Sequence, residues 1–177
     1  GEANSFSLTE RKTILEAAVG AVGAARLMPG TGVNALPETV DLTRHALSLG
    51  VTRVVMLPPS YYKGVSDEGL FRAYAQVIET VADNRLQVVL YHIPQVSGVP
   101  ISHDLIERLV TAFPQTVAGI KDSAGKIENM QAMIARVRET PSIRVVEGLT
   151  VVDLARADGR IVGVFARKLG DRYGEPV

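Results

Sequence analysis

A lysine closes the apolar run Val117-Ala118-Gly119-Ile120, and a polar turn, Asp122-Ser123-Ala124-Gly125, follows at once. The run has the length and character of a strand buried on both faces. A lysine in that position either snorkels its amine to water or is held in a site. Lysine is scarce in this chain, which has only Lys12, Lys63, Lys121, Lys126 and Lys168. Thirty residues earlier, Tyr91 and His92 close a second apolar run just before Pro94. Tyr61, Tyr62 and Lys63 follow a third, stopped by Pro58-Pro59. A lysine amine freed of its proton is a nucleophile toward carbonyls and forms a Schiff base. The iminium withdraws electrons, so a carbanion can form on the neighbouring carbon. A tyrosine phenol can move the protons that such chemistry requires. Tyr91 and Lys121 on adjacent strands, at the same level, would point into one pocket.

The elements that must position these residues are legible from apolar spacing and breakers. Helices are expected over Leu8–Val22, with Ser7 and Glu10 as a capping box, and over Pro37–Leu49, Asp67–Ala82, Ser102–Phe113 and Ile127–Arg138. A short helix is expected over Val151–Ala157. Strands are expected over Arg26–Met28, Val51–Leu57, Leu86–Ile93, Val117–Lys121, Ile143–Val146 and Ile161–Phe165. Strand and helix alternate with a period of about 25 to 35 residues, the pattern of a parallel sheet with helical crossovers. No linker or low-complexity tract interrupts it, so residues 1–177 read as a single domain. Both an open doubly wound sheet and a (β/α)8 barrel fit, and in both the functional residues gather just past the C-terminal ends of strands. A full barrel needs eight strands and about 250 residues, so a barrel here would be a partial one.

Composition narrows the function classes. The chain has 177 residues, 46% apolar and 21% charged, as expected of a globular domain. A formal net charge of +0 gives no electrostatic case for nucleic acid or an anionic membrane surface. No stretch reaches the roughly 20 apolar residues of a membrane span. There is no cysteine, so disulfides and thiolate metal sites are excluded. His45, His92 and His103 do not suggest a metal site. His45 reads as a helix-surface residue, and the charges of Glu10, Arg11, Lys12 and Glu16 read as a solvated helix face. The glycine pair in Pro29-Gly30-Thr31-Gly32-Val33-Asn34 is a weak phosphate-loop signal, and no Gly-x-Gly-x-x-Gly or Walker-type loop is present.

YHIPQVSG from Tyr91, with GIKDS placing Lys121 thirty residues on, resembles the dihydrodipicolinate synthase and N-acetylneuraminate lyase family. GEANSFSLTERK, PGTGVN and YYKGVSDEGL resemble its segments after the second, third and fourth strands, and the likeness runs from Gly1 to about Arg138. The resemblance implies a (β/α)8 barrel, here lacking the first two strands and the C-terminal helices. It implies a class I aldolase or lyase that needs no cofactor or metal and joins pyruvate, or another 2-oxo acid, to an aldehyde. Lys121 would be the Schiff-base lysine and Tyr91 the proton-relay tyrosine. Tyr62 would complete the relay, in some members from a neighbouring subunit, and Ser123 would contact substrate. Gly30 and Gly32 would shape the loop beside the pocket. A homo-oligomer and a cytoplasmic location are implied in the same way.

Departures from the family pattern refine this. The paired hydroxyl residues that precede Gly-Glu in the family are absent before Gly1-Glu2. Val96 stands where synthases acting on an amino-acid semialdehyde place an arginine, which favours the sugar-acid lyase or hydratase-aldolase branch. His92 replaces the usual asparagine. The alternative to an active lyase is a non-catalytic remnant of such a barrel, needing a partner to cover its open edges.

Overall fold

The computed structural model describes residues 3–138, 149–157 and 160–168. The chain forms two compact units, Gly1–Lys126 and Ile127–Val177.

In the first unit, α1 (Leu8–Val22) starts at a full capping box, Ser7 Oγ accepting from Glu10 N and the Glu10 carboxylate accepting from Ser7 N at 2.8 Å. Next come α2 (Leu36–Ser48), β1 (Arg53–Met56), α3 (Asp67–Val81), β2 (Gln87–His92), the single turn α4 (Pro94–Ser97), α5 (His103–Ala112) and β3 (Val117–Asp122). Serines cap α3 and α5: Ser66 Oγ accepts from Gly69 N and Ser102 Oγ from Leu105 N. The strands form a parallel sheet in the order β1-β2-β3. This is the crossover architecture that the alternation of apolar runs and helices requires.

The pleat divides the sheet into two faces. Val54, Met56, Val88 and Leu90 point to the helices, where Leu70, Tyr74, Val77, Leu105 and Leu109 bury them. Each such side chain contributes about 1.5–3 kcal/mol on leaving water. The Tyr74 hydroxyl, inside this core, donates to the Met56 carbonyl at 3.2 Å, and burial pushes its phenol far above the ordinary range. The opposite face, carrying Val55, Val89, Tyr91 and Lys121, is the one a closed barrel would turn inward.

Three expectations are corrected here. Arg26–Met28 is not a strand: Ala24–Arg26 is a 3-10 turn, and contact with β1 is a single parallel bridge from Gly30 to Val55. Ala24-Ala25-Arg26 lacks the β-branched residues that favour an extended run. The Val117–Ile120 run is not buried on both faces, since Ala118 and Gly119 are exposed on the outer strand of the three-stranded sheet. Arg11, Lys12 and His45 are not a free solvated face. The Lys12 ammonium pairs with Asp41 at 2.6 Å, His45 Nε2 lies 3.3 Å from Glu16, and Arg11 Nη2 donates to the Gly30 carbonyl at 2.8 Å. These contacts join α1 to α2 and to the loop after it.

Gly32 is required by a close approach. A Cβ there would lie 2.3 Å from both the backbone N and O of Leu57. Gly20, inside α1, has open space around it. Gly32→Ala should therefore cost about 1–3 kcal/mol by overpacking. Gly20→Ala should gain about 0.5–1 kcal/mol from reduced chain entropy. Urea unfolding of the pair checks both; equal effects at the two positions would overturn the assignment.

The second unit contains α6 (Ile127–Arg138), as expected, and an antiparallel hairpin of β4 (Leu149–Ala157) and β5 (Arg160–Lys168). The helix expected over Val151–Ala157 is therefore a strand, and the strand expected at Ile161–Phe165 pairs antiparallel to it. The sequence carries the reason: Ala157 pairs with Arg160, and Asp158-Gly159 is the dipeptide that a two-residue hairpin connection favours. The strand expected at Ile143–Val146 lies outside the described residues, as does Gly1-Glu2.

Candidate active site

β2 and β3 run in register at their C-terminal ends, with Tyr91 opposite Lys121 and His92 opposite Asp122. Neighbours in register share a face, so Tyr91 and Lys121 both stand on the open face. The Lys121 Nζ lies 3.5 Å from the centroid of the Tyr91 ring and donates to Ser123 Oγ at 3.1 Å. Lysine, tyrosine and serine thus form one cluster. The hydrogen bond with Lys121 holds the Tyr91 phenol below its ordinary value, burial opposing and Ser123 and the Lys121 charge assisting.

Local bonds aim the cluster. Ser123 N donates to the His92 carbonyl at 2.8 Å, carrying the β2–β3 ladder one residue past the strand. Ala124 N donates to Asp122 Oδ1 at 2.8 Å, the Asx turn that ends it. The Gln95 amide, on α4, donates to the Ser123 carbonyl. Lys63 donates to the Ser60 carbonyl and, at 2.6 Å, to the Ser97 carbonyl, tying the loop after β1 to the turn after β2. The residue type alone gave no signal for the Lys63–Ser97 and Gln95–Ser123 ties, because these acceptors are backbone carbonyls distant in sequence.

Tyr62 is not part of the cluster within one chain. The residue is 75% exposed, and among the described residues its ring contact is with Tyr61, edge to face at 5.1 Å between centroids. Asn34 Oδ1 accepts from Ser60 N at 2.8 Å, so the loop carrying the tyrosines is braced against the glycine loop. Gly30 and Gly32 line a cavity of about 180 Å³ together with Tyr91. Among the described residues, no group of three His, Asp or Glu side chains is placed to hold a metal ion, and no helix is long and apolar enough to cross a membrane.

His92, at the asparagine position of the motif, faces the core side. It is 6% exposed, and its Nδ1 accepts from Ile101 N at 3.0 Å, linking the end of β2 to the start of α5. Burial lowers its pKa from 6.5, with His103 acting in the same sense and Asp122 opposing. Protonation would also destroy the acceptor. The unfolded chain takes up this proton below about pH 6.5 while the folded chain resists, so stability falls as pH drops through that value. The slope from one proton is at most about 1.4 kcal/mol per pH unit. Urea midpoints at pH 7.5 and 5.5 should differ in the native chain and converge in His92→Asn.

Residues 1–157 match the Dihydrodipicolinate synthetase family. The chain belongs to that family. It is 36% identical over 149 residues to an uncharacterized DapA-like lyase of Chloroflexus aurantiacus, an alignment covering 84% of this chain and 48% of the relative. Its fold is similar to the crystal structure of dihydrodipicolinate synthase from Agrobacterium tumefaciens (TM-score 0.73, 33% identity), over 77% of this chain and 48% of that one. It is also similar to YagE of E. coli K12, a prophage protein of the family solved in complex with pyruvate (TM-score 0.68, 30% identity, 78% of this chain and 45% of that one). The chain spans about half the length of the curated relatives it matches. Its parallel β1-β2-β3 sheet is thus part of a (β/α)8 barrel, and the family chemistry is that of carbon–carbon lyases.

Proposed function

We propose that the chain carries the Schiff-base centre of a pyruvate-dependent class I aldolase. Lys121 Nζ attacks C2 of the 2-oxo acid, and the carbinolamine loses water to leave the iminium. Loss of a C3 proton gives the enamine, whose C3 attacks the aldehyde carbon. Hydrolysis then returns the free lysine and the aldol product. Cleavage is the same sequence reversed. Tyr91, its phenol held below the ordinary range beside the amine, donates and recovers the protons of these steps. Ser123 orients the amine and contacts substrate, and Tyr62 completes the relay from a neighbouring subunit of a homo-oligomer. The substrate pair is pyruvate and an aldehyde of the sugar-acid lyase or hydratase-aldolase branch, because Val96 supplies no guanidinium for an amino-acid semialdehyde. No cofactor is invoked, residues 1–177 act as one domain, and the setting is cytoplasmic.

The single observation that carries this reading is the in-register Tyr91–Lys121 pair with Nζ 3.5 Å from the ring centroid. Pyruvate with borohydride tests it, since reduction freezes an imine as a stable adduct. An adduct located at Lys121 by peptide mass spectrometry is the expected result. A folded chain without one overturns it. It would favour the second reading, a fold kept without catalysis, to which the exposed Ala118 and Gly119 of β3 lend weight.

A further inference from the structure

His92 joins the lysine cluster to the buried side of the sheet through a single residue. Its carbonyl accepts from Ser123 N at 2.8 Å, and its imidazole Nδ1 accepts from Ile101 N at 3.0 Å. The first bond sets the backbone of Ser123, whose hydroxyl accepts from the Lys121 ammonium at 3.1 Å. The second fastens the end of β2 to the segment entering α5, where Val99 and Ile101 are buried with it. Tyr91 is the residue before His92, so the same strand end also carries the phenol.

An imidazole that accepts at Nδ1 carries its one proton on Nε2 and is neutral. A second proton turns Nδ1 into a donor. Two N–H groups then meet in a buried place, and the Ile101 amide loses its acceptor, which is costly. Withdrawal of the ring from Ile101 relieves the clash. An asparagine oxygen at the same position would accept over the whole range without titrating. The charges around the ring come from each neighbouring element. Burial disfavours the imidazolium most strongly; Asp122, its register partner on β3, favours it, and His103 at the start of α5 disfavours it. Asp67 at the start of α3 is bound by the Ser102 hydroxyl beside Ile101, and the Lys63 ammonium rests on the Ser97 carbonyl at the end of α4.

We infer that His92 is a positioning residue that makes the lysine centre acid-sensitive: the neutral ring holds the end of β2 to the segment entering α5, and the imidazolium lets go of Ile101 and frees the Ser123 backbone that orients the Lys121 amine. Both forms are folded, so the step is separate from global unfolding. This rests on the Schiff-base reading for what the released site can no longer do, but not for the release itself.

Titration of the folded chain from pH 7.5 to about 5 spans the free-ring value of about 6.5 and tests both parts. Far-UV circular dichroism follows the folded fraction. For the release, NMR reads the His92 ring, assigned by its loss in His92→Asn, and the scalar couplings across the Ile101 N–H···Nδ1 and Ser123 N–H···O=C hydrogen bonds. Both couplings should vanish along the titration of the ring, and the Ser123 coupling should persist throughout in His92→Asn. For the chemistry, pyruvate is trapped with cyanoborohydride, which withstands acid, and the rate per folded molecule is taken relative to each chain's own rate at pH 7.5. Dividing native by His92→Asn removes the acid sensitivity of imine formation that the two share. The ratio should fall by up to about tenfold per pH unit below the pKa of the ring, the limit for one proton. His92→Gln carries the comparison if His92→Asn misfolds. A ring that stays neutral to about pH 5, a Ser123 coupling that survives protonation of the ring, or a flat trapping ratio overturns the inference. Release of Ser123 without a pyruvate adduct at any pH overturns the Schiff-base reading instead.

Discussion

Lys121→Met should abolish the reduced pyruvate adduct completely, while Lys126→Met, five residues on, leaves it unchanged. The contrast follows from placement. Lys121 stands in β3 opposite Tyr91 and donates to Ser123, whereas Lys126, equally exposed, lies beyond the turn. Methionine keeps the length and apolar stem of lysine, so loss of the adduct reports loss of the amine rather than of packing. Tyr91→Phe separates ring from hydroxyl. The ring face that attracts the ammonium remains, but the proton carrier is gone. Adduct formation should slow by about 10²–10⁴-fold, the range of general acid–base catalysis. The phenol gives an independent reading: in the native chain the absorbance titration should contain one tyrosine ionising early, and Lys121→Met should shift that step upward. An adduct persisting in Lys121→Met would place the reactive amine elsewhere.

Leu90→Ala should cost about 2–5 kcal/mol. Leu90 is fully buried at the middle of the central strand β2, in register with Met56 and Ile120 on its neighbours. Truncation leaves a cavity inside the packed core cluster. Because Tyr91 is the next residue, on the opposite face, the same change should loosen the site: at a urea concentration the native chain tolerates, trapping by pyruvate should fail in step with loss of the folded signal. Val96→Ala, 65% exposed in the native chain, is the comparison and should stay within about 0.5 kcal/mol. A Leu90→Ala loss below about 1 kcal/mol would mean that the β2 face is not the core.

The contrast between these two residues shows what could be read without coordinates. Leu90 and Tyr91 are adjacent in sequence and serve opposite faces, a consequence of the two-residue period of a strand. That period, the serine cap at Ser7, and the breakers Pro58 and Pro94 were all legible, because each acts within a few residues. So were the lysine and tyrosine at strand ends, as residue types in the place where parallel sheets put their sites. The hairpin of β4 and β5 had its own local signal in Asp158-Gly159, which the apolar spacing of 151–157 had obscured.

Residue order and local stereochemistry therefore determined the elements, the parallel crossover pattern, the family, and Lys121 and Tyr91 as the pair worth testing. Tertiary structure decided what local rules do not reach: that register sets Tyr91 against Lys121, that Tyr62 faces solvent within one chain, and that Arg11 leaves its helix surface for the Gly30 carbonyl. Each of these depends on contacts between residues far apart in sequence. Such contacts exist only where the register of the sheet and the packing of the helices bring those residues together.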